Sequence, residues 1–108
     1  MQIIFHAHHA TVSDRLRLRA EHGVRKLGTR LGRAVDAVIR FADDGPTRRV
    51  EIVLHASRHR RLVAAGHGRY FGPALTRAVE GLREQVDHAR RARSKGARRR
   101  AAQKALHA

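Results

Sequence analysis

Residues Tyr70–Lys95 read YFGPALTRAVEGLREQVDHARRARSK. Leu75, Val79, Leu82, Val86 and Ala89 recur at spacings of four, three, four and three. That spacing draws one apolar stripe along an α-helix. Pro73 stands near its start, where a missing N–H costs nothing. Arg90, Arg91, Arg93 and Lys95 crowd its end, where cations favour the helix dipole. A stripe this regular needs an apolar surface to bury against, and the segments before it read as strands.

Residues 62–66 form a weak strand carried by Leu62, Val63 and Ala64, behind the tight basic connection Arg58-His59-Arg60. Residues 49–57 alternate, with Val50, Ile52, Leu54 and Ala56 opposed to Arg49, Glu51, Val53 and His55. Asp43-Asp44-Gly45-Pro46 is turn chemistry. Residues 34–42 alternate in the same way, with Val35, Ala37, Ile39 and Phe41 on one face. Ser13 followed by Asp14 makes an N-cap with an acid in the first turn. From there Leu16, Ala20, Val24, Leu27 and Leu31 share one side of a second helix, whose last turns Gly28 and Gly32 weaken. The opening run Gln2–Ala7 is β-branched and aromatic, and reads as a strand.

The element order is therefore β-α-β-β-β-α. A strand, a helix and a strand in succession predict a right-handed parallel crossover. The short turns that follow predict an antiparallel meander. The expected fold is α+β, a four-stranded sheet with two helices packed on one face. Residues 1–93 make the folded domain. Residues 94–108 carry five cations, no acid and little to bury, and read as a disordered or fraying tail. With one Tyr, three Phe and no Trp the core is small and aliphatic.

The 108 residues hold 24 Lys+Arg against 9 Asp+Glu, a formal net charge of +15. That imbalance predicts polyanionic partners, nucleic acid first and an anionic membrane second. Neither helix carries a bulky aromatic anchor on its apolar face, which disfavours the membrane. The absence of cysteine excludes disulfides and thiolate metal sites. No apolar run approaches the roughly 20 residues that span a bilayer. The opening run is also too short for a secretory signal. A cytoplasmic location is the simplest reading.

Charge is concentrated on the helices. Arg15, Arg19, His22, Lys26, Arg30 and Arg33 fall on one flank of the first helix, with no acid among them. The row would be about 27 Å long at 1.5 Å per residue if the helix reaches Arg33. Like charges at these spacings repel, and solvated helices normally mix signs. An unpaired row therefore favours a polyanion over simple solvation. On the second helix Arg83 and Arg90 share a flank with Asp87 between them, and the end from Arg90 through Arg91 to Arg93 is purely basic. The candidate RNA-binding set is Arg15, Arg19, Lys26, Arg30, Arg33, Arg83, Arg90, Arg91 and Arg93.

His6, His8 and His9 have a spacing that binds nickel or copper adventitiously, without a helical His pair or a carboxylate partner. No functional metal or cofactor is expected. The other histidines, His22, His55, His59, His67, His88 and His107, are scattered. The nine acids are dispersed too, and no nucleophile elbow, phosphate loop or metalloprotease motif occurs. The chain does not read as an enzyme. A small basic ribonuclease using His and Arg is the alternative from that class.

The opening Met-Gln-Ile-Ile-Phe-His-Ala-His-His, the cap at Val12-Ser13-Asp14, the element order and the closing Ala-Leu-Thr-Arg-Ala-Val-Glu-Gly-Leu-Arg-Glu-Gln-Val resemble the ribosome hibernation-promoting factor and ribosome-associated inhibitor family. The resemblance covers about residues 1 to 93. It implies a fold like the double-stranded-RNA-binding domain with an added first strand. It also implies binding in the tRNA and mRNA channel of the small ribosomal subunit, through contacts from basic residues of both helices to ribosomal RNA phosphates. It implies translational repression under stress, no cofactor, no small-molecule substrate and a monomer when free. The chain departs from the family pattern at Thr76, where an Asp is usual, and at Gly81, Arg83 and Glu84. It lacks the long C-terminal dimerisation domain of some members, as a short form would. A divergent binder of other structured RNA is the alternative within the same class.

Overall fold

The computed structural model describes residues 1–58 and 60–107, with the backbone alone at 97 and 103–107. His59 and Ala108 lie outside the described residues. The elements are β1 (Gln2–His8), α1 (Asp14–Leu31), β2 (Ala34–Asp44), β3 (Thr47–Ala56), β4 (Arg60–Gly68) and α2 (Phe71–His107). The sheet order is β1-β2-β3-β4. β1 pairs parallel with β2, placing Ile3 opposite Ala37 and Phe5 opposite Ile39. β2, β3 and β4 pair antiparallel, with Ile39 opposite Ile52 and Ile52 opposite Ala64. The predicted α+β architecture is the one observed.

Local chemistry explains the element ends. The Ser13 side chain accepts from the Leu16 N–H at 3.2 Å and caps α1. Gly32 closes it at φ 75°, with its N–H on the Gly28 carbonyl. Gly28 does more than weaken the last turn, because a β-carbon there would lie 2.9 Å from Met1 Cε. The missing side chain makes room for the chain's first residue.

The strand periodicity places Ala37, Ile39, Phe41, Val50, Ile52, Leu54 and Ala64 on one face, all buried. Both helices cover that face with Ala20, Val24, Leu27 and Leu31 from α1 and Leu75, Leu82, Val86 and Ala89 from α2. α2 lies directly on β4 at Gly66, where a β-carbon would fall 2.2 Å from the Ala74 carbonyl oxygen. The opposite face of the sheet carries the cross-strand row Ile4, Val38, Val53 and Val63. It also carries three of the six ion pairs among the described residues. Glu51 bonds Arg40 at 3.2 Å and Arg49 at 3.0 Å, and Asp36 bonds His55 at 2.6 Å.

The last helix differs from expectation at its end. The sequence predicts a stop near Ser94, whereas α2 runs 37 residues, through Gly96 to His107. A single glycine costs about 1 kcal/mol in a helix, and the Ala, Arg, Gln and Lys around it are good helix formers. The last core residue it buries is Ala89. Beyond that point the helix rests on propensity rather than on the packing that supports residues 71–89.

Candidate nucleic-acid interface

Cationic side chains reach the surface here because two helices lie side by side. Arg19 Nη2 donates to Thr76 Oγ1 at 2.5 Å, and Arg30 Nε donates to Asp87 Oδ1 at 2.8 Å. Between them Gly23 faces Val79, near enough that a β-carbon would meet its Cγ2 at 3.6 Å. Further on, Arg93 Nη1 donates to the Leu31 carbonyl at 3.3 Å. Residue numbers on α1 and α2 rise together along this seam, so the helices are parallel.

The contacts also fix which rows flank the groove. The α1 row runs Arg19, His22, Lys26 and Arg30, and the α2 row runs Thr76, Glu80, Arg83, Asp87 and Arg90, each at helical spacings of three and four. Arg33, expected on the α1 row, lies past the Gly32 cap in a left-handed corner. Thr76 anchors its hydroxyl on the Gly72 carbonyl at 3.2 Å and takes Arg19 as donor. A neutral acceptor orients the guanidinium without cancelling its charge.

All nine predicted side chains are exposed. Three of them have intramolecular partners, namely Arg19, Arg30 and Arg93. Among the described residues the remaining six, Arg15, Lys26, Arg33, Arg83, Arg90 and Arg91, form no ion pair. The expectation of an acid-free row holds for α1 itself but not for the assembled surface, since α2 supplies Asp87 to Arg30. The hydrogen bond from Arg30 holds the Asp87 carboxyl below the usual carboxylate range, helped by the charges of Arg30, Arg91 and Arg90.

The α1 row does not end at the helix. Arg30, Arg90 and Arg93 line one shallow depression at the α1 carboxyl end, and Arg93 also borders a second beside the β3–β4 turn. Arg58 and Arg60 of that turn were not among the predicted residues. In sequence they are only two cations in a loop, and their nearness to α2 depends on the sheet.

Among the described residues no group of His, Asp and Glu is arranged to hold a metal ion. No helix among them is long and apolar enough to cross a membrane.

A family model described as Sigma 54 modulation protein / S30EA ribosomal protein matches residues 3–94. The chain belongs to that family. No curated protein matches the sequence. Among solved structures, a ribosomal subunit interface protein from Coxiella burnetii superposes with a TM-score of 0.76 at 13% identity, over 83% of this chain and 98% of that one. The N-terminal domain of Thermus thermophilus Protein Y gives 0.69 at 21% identity, over 82% and 98%. At these identities the likeness is one of fold. Sigma 54 modulation and S30EA proteins are a ribosome-associated family.

Proposed function

We propose that this chain binds the small ribosomal subunit in the channel used by tRNA and mRNA, and represses translation by occupying it. The partner is ribosomal RNA, the setting is the cytoplasm, and the outcome is ribosome hibernation under stress. The observation that carries this reading is the parallel helix pair, which lines one groove with Arg19, Lys26, Arg30, Arg83 and Arg90. A two-helix ridge of this kind presents cations at helical repeats to a phosphate backbone. Such contacts position a protein on RNA without reading bases.

Inhibition then needs no bond to be made or broken. A cationic wedge of this size excludes the ligands that need the same site. A sucrose-gradient profile of lysate, probed for this protein, tests the reading. It should co-migrate with small subunits or whole ribosomes and leave them when salt is raised. Migration only with free protein would refute it. Intact RNA after incubation with the purified chain is expected, whereas a ribonuclease would degrade it.

A further inference from the structure

Where the carboxyl end of α1, the β3–β4 turn and the extension of α2 meet, a cleft of about 420 Å³ opens at the surface. Its walls carry Arg33, Arg58, Arg60, Arg93 and Arg100, together with Ser57. No acid lines it. The contrast with the rest of the molecule is chemical. Elsewhere four of the nine acids are placed against arginines, as in Glu21–Arg25, Asp43–Arg48, Glu51–Arg40 and Asp87–Arg30. Here five guanidiniums from three separate segments converge without one, and their mutual repulsion is left uncompensated.

The backbone adds a second observation. The described residues include three non-glycine positions with positive φ, and two are arginines of this cleft, Arg33 at 58° and Arg58 at 66°. Glycine or asparagine takes that conformation more cheaply. The two corners are tied together, since the Ser57 N–H donates to the Arg33 carbonyl at 2.9 Å. Arg93 is oriented by its bond to the Leu31 carbonyl. Attraction to the carboxyl end of α1 accounts for Arg93 but not for Arg58, Arg60 or Arg100, which come from the turn and from the far part of α2.

We propose that this cleft is a binding site for closely spaced phosphate groups, held by Arg58, Arg60, Arg93 and Arg100. Guanidiniums suit this ligand because their forked donors match phosphate oxygens two at a time. The Ser57 hydroxyl adds a neutral donor. The phosphates come either from an RNA backbone, which would run off the helix groove past Arg93, or from a free oligophosphate. The site stands independently of the ribosomal reading, and only its RNA source rests on that reading.

The test titrates inorganic tripolyphosphate into the full chain at about 0.15 M salt, where diffuse surface attraction is screened within about 8 Å. Saturable binding near one equivalent is expected. Arg58→Gln with Arg60→Gln should weaken it at least about tenfold, the scale of lost charge-assisted hydrogen bonds. Arg48→Gln with Arg69→Gln, outside both the cleft and the helix groove, should leave it unchanged. Arg58→Asn suits the left-handed corner, so it should keep the melting temperature while still weakening tripolyphosphate. No saturable binding, or equal weakening by both double variants, would overturn the site. Sedimentation with small subunits then separates the sources. If tripolyphosphate competes and the cleft variant loses ribosome affinity, the ligand is RNA. If the variant keeps ribosome affinity yet loses tripolyphosphate, the ligand is a free oligophosphate. A wild-type chain that ignores ribosomes but binds tripolyphosphate would refute the ribosomal reading and leave the cleft intact.

Discussion

Arg30 on α1 and Asp87 on α2 meet at 2.8 Å, 57 residues apart in sequence. Arg19 and Thr76, about three turns earlier, meet at the same separation of 57. An equal offset at two points means that the helices run in step. The groove between them then has one cationic bank and one mixed bank, with a single ion pair joining them.

That pair tunes the surface. Asp87→Asn should release Arg30 as a free cation. RNA affinity should rise, and the slope of log affinity against log salt should steepen by about one. The seam between the helices should loosen slightly. Affinity measured across salt concentrations checks both effects, and an unchanged slope would mean that Arg30 does not reach phosphate.

The same pair has a defined acid response. The Asp87 carboxyl is lowered in the folded chain, so it binds its proton more weakly there than when unfolded. Its contribution to stability is present above the ordinary carboxylate range and is lost as pH falls through the lowered folded value. An NMR titration of the Asp87 carboxyl should show a midpoint below that of exposed aspartates. Arg30→Gln should move that midpoint upward.

Free cations should matter more than bridged ones. Charge reversal at Arg15, Lys26 and Arg83, which form no ion pair among the described residues, should weaken ribosome binding and flatten the salt slope by up to about three. The melting temperature should hardly move, because exposed charges away from specific contacts change stability little. A flat salt response in the wild-type chain would end the electrostatic account.

The close seat of α2 on the sheet gives a stability test. Gly66→Ala places a methyl group 2.2 Å from the Ala74 carbonyl oxygen and 2.6 Å from the Ala78 nitrogen. Both are backbone atoms, so the helix itself must shift. The cost should be about 1–3 kcal/mol or more. Leu82→Ala, at a fully buried position, should cost about 2–5 kcal/mol. Either is a large part of the total for a small domain. Thermal or denaturant unfolding measures both, and an unchanged transition for Gly66→Ala would place α2 further from β4.

Deleting residues 94–108 separates the extension from the domain. The packed core ends at Ala89, so the melting temperature should stay nearly constant. Ribosome affinity should fall, with a salt slope reduced by up to about four or five, one per lost phosphate contact. Equal affinities for the full and shortened chains would confine RNA binding to residues 1–93.

Much of this protein is legible from local pattern. The two-residue period of residues 37–42 and 49–57 and the stripe Leu75, Val79, Leu82, Val86 and Ala89 specify strands, helices and buried faces through side-chain direction alone, whereas Val35, expected on the buried face, is exposed beside the register shift at Ala34 and Asp36. The Ser13 cap and the Asp43–Pro46 turn act within a few residues, so their chemistry is complete in the sequence. The cationic α1 row is visible for the same reason. Tertiary structure decided what each charge faces. Asp87 belongs to Arg30 because two apolar stripes bury on one sheet face and bring the helices into parallel contact. Arg58 and Arg60 join Arg93 because the sheet carries a distant turn to the end of α1. The sequence pattern also predicted a helix stop near Ser94, where good helix formers instead carry α2 past Gly96. Coulomb interaction depends on distance through space, and long-range distances exist only after the core has closed.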